Sequence, residues 1–403
     1  MTKQFVGAWL IVCACASVPS VAAQEAASDG ATASPGRLAR TVAWTEAKVD
    51  GAAGAPDGFY PEFGGLITGS GVSVGPGYRR YLLRDRMLVD VSGAVSWRRY
   101  QMLQGKIEWP RGIGERVSLG AQVKYQDFTQ INFFGVGSDT LKGGQTDYRL
   151  TYLDAGGFAT LHAKPWLTVT GRAGVLRGAD IARGTSTLHP STDERFDEQS
   201  APGLMNQPNY VHADLAIEAD TRDVPGYPAS GGRYRASLAA FHDRDFSRYS
   251  FRRLEIEAAH YVPVTEHSVA AIRGRVDVSQ TGPGQQVPFY LLPALGGAHS
   301  LRGYLDYRFR DRDLLLVNAE YRWRLARALD GAVFYDAGAV APAVAALSMH
   351  RLRKDYGVGV RVHSKTHLLM RLDVARGSEG MQATVSFTPP LSFSKRTVAP
   401  YVP

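Results

Sequence analysis

From about residue 250 to the end of the chain, apolar and polar residues alternate with a period of two. Leu254, Ile256 and Ala258 share one face, and Glu255 and Glu257 the other. Ala270, Ile272, Val276 and Val278 oppose Arg273, Arg275, Asp277 and Ser279. Leu315, Val317, Ala319, Tyr321, Trp323 and Leu325 oppose Asn318, Glu320, Arg322 and Arg324; Val333, Tyr335 and Ala337 oppose Phe334, Asp336 and Gly338. Tyr356, Val358, Val360 and Val362 face away from Arg361 and His363, as Leu368, Met370, Leu372 and Val374 do from Arg371 and Asp373. Period two is the signature of strands with two different faces. A soluble sandwich alternates as well. The distinguishing feature is that Arg and Glu recur on the polar faces of successive strands. That suits a wide, water-filled lumen crossed by ion pairs better than a dry sheet-on-sheet core. Tyr321, Trp323, Tyr261 and Trp166 stand near strand ends, where interfacial aromatic girdles belong.

The same reading along the whole chain predicts about sixteen strands: 66–75, 78–85, 86–98, 99–109, 115–129, 145–163, 166–178, 209–221, 231–243, 249–262, 267–280, 313–325, 328–338, 353–364, 367–376 and 380–388. The second is weak, so fourteen stays open. Links around 263–266, 325–329 and 365–366 are short and read as periplasmic turns. Those at 129–144, 179–208, 281–312 and 339–352 are long and read as external loops, an asymmetry typical of outer-membrane barrels.

Composition agrees. The 403 residues are 44% apolar and 21% charged, with 43 Gly and more Tyr (19) than Phe (16), a bias toward strands and turns. Lys3 followed by the apolar run 5–16 and Val21-Ala22-Ala23 reads as a cleaved export signal over 1–23. A lipoprotein signal using Cys15 is the lesser alternative. Both cysteines, Cys13 and Cys15, lie in that leader, so a chain cut after Ala23 has no disulfide, thiol nucleophile or zinc–thiolate site. Of 46 basic and 38 acidic residues only Lys3 is lost, which leaves a net charge of +7. No later apolar stretch is long enough for a membrane helix, so membrane residence requires a closed barrel, whose ladders satisfy every backbone group in lipid. The expected layout is a flexible segment over 24–57 with a short helix at 38–49, a barrel over 58–388, and a tail over 389–403 that plugs the lumen, extends into the periplasm or stays disordered.

Three places depart from plain alternation. Asp220-Thr-Arg222-Asp223, followed by Pro228 and Gly231, is dense in turn residues. The stretch 295–304, containing Gly296, Gly297, Arg302, Gly303 and Tyr304, lies in about thirty residues without periodicity, a length at which loops are usually functional. Phe334-Tyr-Asp336-Ala-Gly338 places Asp336 on the lumen face. With Phe133-Phe-Gly-Val-Gly-Ser-Asp-Thr140 and Thr146-Asp-Tyr-Arg149, the order of these motifs resembles the BamA/TamA superfamily of outer-membrane assembly and secretion barrels, the bacterial surface antigen family, over roughly 58–388.

That resemblance implies a sixteen-strand barrel whose sixth external loop folds back into the lumen. It implies that Arg302 pairs with an acidic wall residue, here Asp336, and that Tyr304 packs on the wall near Phe334. A guanidinium in a confined lumen needs a carboxylate, and its fork favours a bidentate pair. The bland alternative is that both are solvated charges. The resemblance also implies a weak seam between the first and last strands, open to strand addition. Implied partners are outer-membrane lipids and lipopolysaccharide, with unfolded outer-membrane proteins or a periplasmic partner as further candidates. The arginines 308, 310 and 312 are read as meeting lipopolysaccharide phosphates or the neighbouring Asp306, Asp311 and Asp313. The stretch 24–57 is too short for a POTRA domain, so the chain reads as a barrel-only member, and an assembly role does not carry over automatically.

No cofactor or metal is expected: the histidines are scattered and no P-loop or dinucleotide fingerprint occurs. Gly71-Val-Ser73-Val-Gly75 matches a hydrolase elbow, but Pro76 and Gly77 replace the helix that such a motif needs. For an outer-membrane lipid hydrolase, His260 and His267 are the only suitably placed histidines, with no serine paired. Nucleic-acid binding is not expected, because the basic residues alternate with acidic ones instead of forming a stripe. Two readings lead: a gated barrel assisting outer-membrane protein or lipid assembly or translocation, and a passive or selective pore.

Overall fold

The computed structural model describes residues 57–391 and 393. The expected leader, the helix at 38–49 and most of the tail lie outside the described residues. The first seven strands are β1 (Gly58–Gly64), β2 (Ser73–Leu82), β3 (Met87–Ser96), β4 (Gln101–Ile113), β5 (Val117–Phe133), β6 (Thr146–Lys164) and β7 (Leu167–Arg183). Then come β8 (Tyr210–Asp220), β9 (Gly231–Asp243), β10 (Phe251–Thr265) and β11 (Ser268–Thr281). Two short strands, β12 (Ala294–Leu295) and β13 (Phe309–Arg310), lie inside the long loop that follows. The chain continues through β14 (Asp313–Ala326), β15 (Leu329–Ala341), β16 (Arg353–His363), β17 (Leu368–Gly377) and β18 (Gly380–Ser386). Apart from β12 and β13, which pair with each other, the strands form one sixteen-stranded antiparallel sheet in chain order.

Contacts between remote strands show that this sheet is curled on itself. The turn between β8 and β9 reaches β15, where Tyr227 donates to Asp330 at 2.8 Å. Lys142, between β5 and β6, donates to the Glu379 carbonyl between β17 and β18 at 3.0 Å. The outer surface is apolar: Val91, Leu103, Leu215, Leu238, Ile256, Ile272, Val358 and Leu372 are all exposed. Their neighbours on the inner face are buried and charged, among them Glu255, Glu257, Arg273, Asp277, Arg361 and Asp373. An apolar outside over a charged inside is the inverse of a soluble domain and fits a wall facing lipid.

The upper lumen is packed, not water-filled. Phe128, Phe133, Tyr148, Tyr210, Phe241 and Phe251 from the wall meet Ala201 and Leu204 from the β7–β8 loop and Val287, Phe289, Tyr290 and Leu291 from the long loop in one buried cluster. The expectation of a broad aqueous channel is corrected here: period two separates inside from outside but does not say whether the inside is wet.

The barrel is lopsided. β1 and β18 have seven residues each, whereas β5, β6 and β7 have 17, 19 and 17. At about 3.3 Å per residue that is ~23 Å of wall against ~60 Å. Among the described residues no ladder joins β1 to β18. Pro61 in β1 opposes Pro76 in β2, and proline, lacking a donor, belongs at sheet edges. Because Pro61 interrupts its strand pattern, the first strand is Gly58–Gly64 and not the expected 66–75. That stretch is instead largely a connection in which the Ser70 hydroxyl accepts from the Leu66 amide at 3.0 Å.

Two inward and outward assignments change. Tyr261 points into the lumen, in phase with Glu255 and Glu257, and is not part of a girdle. Leu368 is buried because the β16–β17 register shifts between Val362 and His363. Tyr321 and Trp166 are exposed as expected. Because Ile256 lies at mid-strand on the outer face, Ile256→Arg is expected to lower stability by about 2–4 kcal/mol. Ile256→Leu should be near neutral, as read by denaturant unfolding in phospholipid.

Candidate functional site

The long loop, 282–312, descends into the lumen and carries Arg302 to the inner faces of β14 and β15. Leu295, Leu301, Tyr304 and Phe309 anchor it on Leu314 and Leu316 of β14 and Val340 of β15. The Arg302 guanidinium donates to both Asp336 oxygens, Nε to Oδ2 and Nη2 to Oδ1, each at 2.8 Å, and through Nη1 to Glu320 at 2.7 Å. It lies 3.4 Å from the centroid of the Phe334 ring. Asn318 secures the same corner, donating to Asp336 and to the Ser300 carbonyl, both at 2.8 Å. Burial acts to lower the Arg302 pKa, but Asp336 and Glu320 outweigh it and raise it, so the charge persists.

The pair is part of a chain of charges. Glu320 also accepts from Arg361 at 2.8 Å, Arg361 donates to Asp373 at 2.5 Å, and Arg371 reaches the other Asp373 oxygen at 2.6 Å. Arg371 additionally holds the Ala298 carbonyl of the loop, and Arg273 the His299 carbonyl at 2.8 Å. Sequence reasoning singled out only Arg302 and Asp336. The other members carried a signal, since alternation already placed Glu320, Arg361, Arg371 and Asp373 on inner faces. Which of them would meet depended on strand register.

The glycines are explained by crowding. A Cβ at Gly303 would lie 2.6 Å from the Asp355 Cβ, so the loop could not lie against β16 there. Gly338 leaves room for Leu295. Gly296 and Gly297 adopt φ of +117° and +85°, which a side chain disfavours. Tyr304 packs on the wall as expected, in the cluster with Leu314, Leu316 and Val340, but its ring neighbour is Phe309, edge-on with centroids 5.3 Å apart, and its hydroxyl meets Ser378 and the Lys354 carbonyl. Phe334 is left to Arg302.

Two neighbouring arginines are also reassigned. Arg308 and Arg310 are buried, so neither meets external phosphates. Arg308 forks onto Glu379 in the β17–β18 turn, with Nη2 to Oε1 at 2.7 Å and Nε to Oε2 at 2.9 Å, and also holds Thr140. Arg310 lies beside the rings of Tyr307 and Tyr148 and donates to backbone carbonyls. Arg312 is half-buried; its guanidinium donates to the Pro342 carbonyl, and its amide to Asp311 at 2.8 Å. Residues distant in sequence, not the adjacent aspartates, supply the partners of Arg308 and Arg310.

The second motif forms a separate structure at the opposite end. Arg222 forks onto Asp220 at 2.8 and 2.6 Å, while Asp223 accepts from the amides of Val224, Ala229 and Ser230. Pro228 is buried, and Gly231 has φ of +83°. The turn projects Tyr227 across the lumen, where its ring stacks on His363 at 4.5 Å. Of the residues weighed for hydrolysis, Ser73 sits in strand β2 and donates to the Gly64 carbonyl, and His260 meets Tyr234.

A sixteen-strand membrane barrel whose lumen is filled by its own external loop, pinned through an arginine, is the class of protein that fold and site define. The Omp85 superfamily domain matches residues 103–388, and the chain belongs to that superfamily. Its fold is similar to BamA from Haemophilus ducreyi lacking POTRA domains 1–3, at 14% identity and a TM-score of 0.60 over 82% of this chain and 70% of that one. CdiB from Escherichia coli matches at 10% identity and a TM-score of 0.50, over 81% of this chain and 60% of that one. CdiB from Acinetobacter baumannii matches at 12% identity and 0.49, over 81% and 58%. The chain thus spans under two thirds of the CdiB chains. No curated protein sequence matches it.

Removing Arg302 takes the guanidinium from buried Asp336 and leaves Glu320 to Arg361. Arg302→Ala is therefore expected to cost about 3–5 kcal/mol in denaturant unfolding, and Arg302→Lys to recover only part of it, a single ammonium being unable to fork. Exchanging the charges of Arg302 and Asp336 should not restore stability, because Glu320 would then face a carboxylate. Arg308→Ala should accelerate amide hydrogen exchange in 368–386 several-fold while leaving β5–β7 unchanged, as resolved by mass spectrometry of exchanged peptides.

Proposed function

We propose that this protein is a gated outer-membrane barrel that assists assembly or translocation of outer-membrane proteins or lipids, opening at the seam between β1 and β18. The observation that carries this reading is the fork of Arg302 onto Asp336 and Glu320, which seats the long loop in the lumen. That loop also reaches the seam. Tyr304 and Arg308 hold Ser378 and Glu379, at the tip of the hairpin whose second strand is β18. Movement of the loop is thereby coupled to the last hairpin, and release of short edge strands presents unpaired backbone donors and acceptors to a client strand. Unfolded outer-membrane proteins, membrane lipid and lipopolysaccharide are the corresponding partners. The packed upper lumen argues against a permanently open pore.

Two measurements test the reading. Planar-bilayer conductance should be small or flickering for the intact protein and become large and steady when 297–306 are deleted; equal, large conductance in both would favour the pore. In proteoliposomes, protease-protected folding of an added outer-membrane protein should exceed that in empty vesicles. A disulfide between cysteines introduced in Gly58–Gly64 and Gly380–Ser386 should abolish the excess and reduction should restore it. No excess over empty vesicles would remove the assembly role.

A further inference from the structure

The sixteen-stranded sheet ends at Ser386, yet the described chain continues and turns inward. The Thr388 carbonyl accepts from Arg371 Nε at 3.1 Å, and its hydroxyl lies 3.3 Å from His299 Nε2 at the tip of the long loop. Arg371, which also holds the Ala298 carbonyl, thus joins loop and tail. Beyond this point Leu391 and Phe393 lie across the lumen from β18. Leu391 and Phe393, 2% and 4% exposed, pack on Ala259 and Tyr261 of β10 and Val269 and Ala271 of β11. The Arg233 guanidinium lies 4.7 Å from the centroid of the Phe393 ring and is fixed by a fork onto Glu218 at 3.0 and 2.9 Å.

This patch differs from the wall around it. Higher on the same two strands the inner faces carry Glu255, Glu257, Arg273 and Asp277. Next to the β10–β11 turn they become apolar, with alanines leaving space beside Tyr261. An apolar floor in a charged lumen is stable only when something apolar covers it, and here Leu391 and Phe393 do. They add nothing to the strand ladders, and the contact they make is one that a short peptide could make as well.

We propose that the cup formed by Ala259, Tyr261, Val269 and Ala271 is a peptide-binding site in the periplasmic mouth of the barrel. Its ligand class is an extended segment with leucine and an aromatic residue two positions apart, the aromatic ring held by Arg233. The chain's own Leu391 and Phe393 occupy the site as a tethered plug. The proposal rests on the reading of the lumen as a gated conduit, and it adds a second closure at the end opposite the extracellular mouth.

The test uses an Ala259→Cys variant of the otherwise intact protein and a membrane-impermeant maleimide supplied from the periplasmic side. The introduced thiol should be protected in the full chain and react at least tenfold faster when 389–403 are deleted. Leu391→Asp with Phe393→Asp, in the full chain, should give the same gain and carries the test should the deletion fail to fold. A synthetic peptide spanning 389–395, added to the tail-less barrel, should restore protection, a scrambled peptide should not, and Arg233→Ala should weaken the peptide's effect. Equal labelling with and without the tail, or equal protection by the scrambled peptide, overturns the proposal. Conductance of the 297–306 deletion is read in parallel. If that deletion opens the lumen while tail removal leaves the thiol protected, the plug is wrong and the gate stands. If tail removal exposes the thiol and the loop deletion changes nothing, the gate is wrong and the cup stands.

Discussion

A guanidinium cannot be placed inside a barrel without carboxylates to receive it, and this constraint organises the lumen. Arg302 is 2% exposed and meets Asp336 and Glu320 from two adjacent strands. Each carboxylate, once buried, needs cations in turn. The requirement spreads from Glu320 to Arg361, to Asp373 and to Arg371. Removing one member of such a network leaves the rest uncompensated, which is far more costly than never having buried them. The wall from β14 to β17 and the loop lying on it are therefore one electrostatic unit.

That unit sits beside the weakest part of the sheet. The edge strands have seven residues each, one of them interrupted by proline, while the far wall is more than twice as tall. Besides its ladder to β16, the last hairpin is held from above by Tyr304 and Arg308 of the long loop and by Lys142 of the loop after β5, whose Thr140 in turn accepts from Arg308. Stability is unevenly spread, and the elements bearing on the seam are held by a small number of named contacts.

The two ends of the lumen are closed by different chemistry. Above, Phe133 and Tyr148 from the wall meet Phe289 of the loop, each at a ring separation of 4.8 Å. Below, Tyr227 from the turn carrying Asp220 and Asp223 stacks on His363 and donates to Asp330 on the opposite wall. Between them lies the charged girdle. This layering follows from chain entry: apolar segments enter from the loops and tail at either end, and the middle is left to strand residues that must pair with one another.

Alternation by itself determined which residues face lipid and which face the lumen, because a strand's side chains project to opposite sides at every step. It thereby gave the fold class, the strand count and the inward placement of Asp336, Glu320, Arg361 and Asp373, and the order of the motifs gave the family resemblance. It went astray where local rules break: Pro61 hid the first strand, and a register shift turned Leu368 inward. Only the tertiary structure decided which inward charges meet, because partners such as Arg308 and Glu379, 71 positions apart, are brought together by loop folding and curvature. It also decided that the lumen is filled. Whether a lumen is wet or packed depends on what the loops and tail insert into it, and nothing in a strand's own periodicity encodes that.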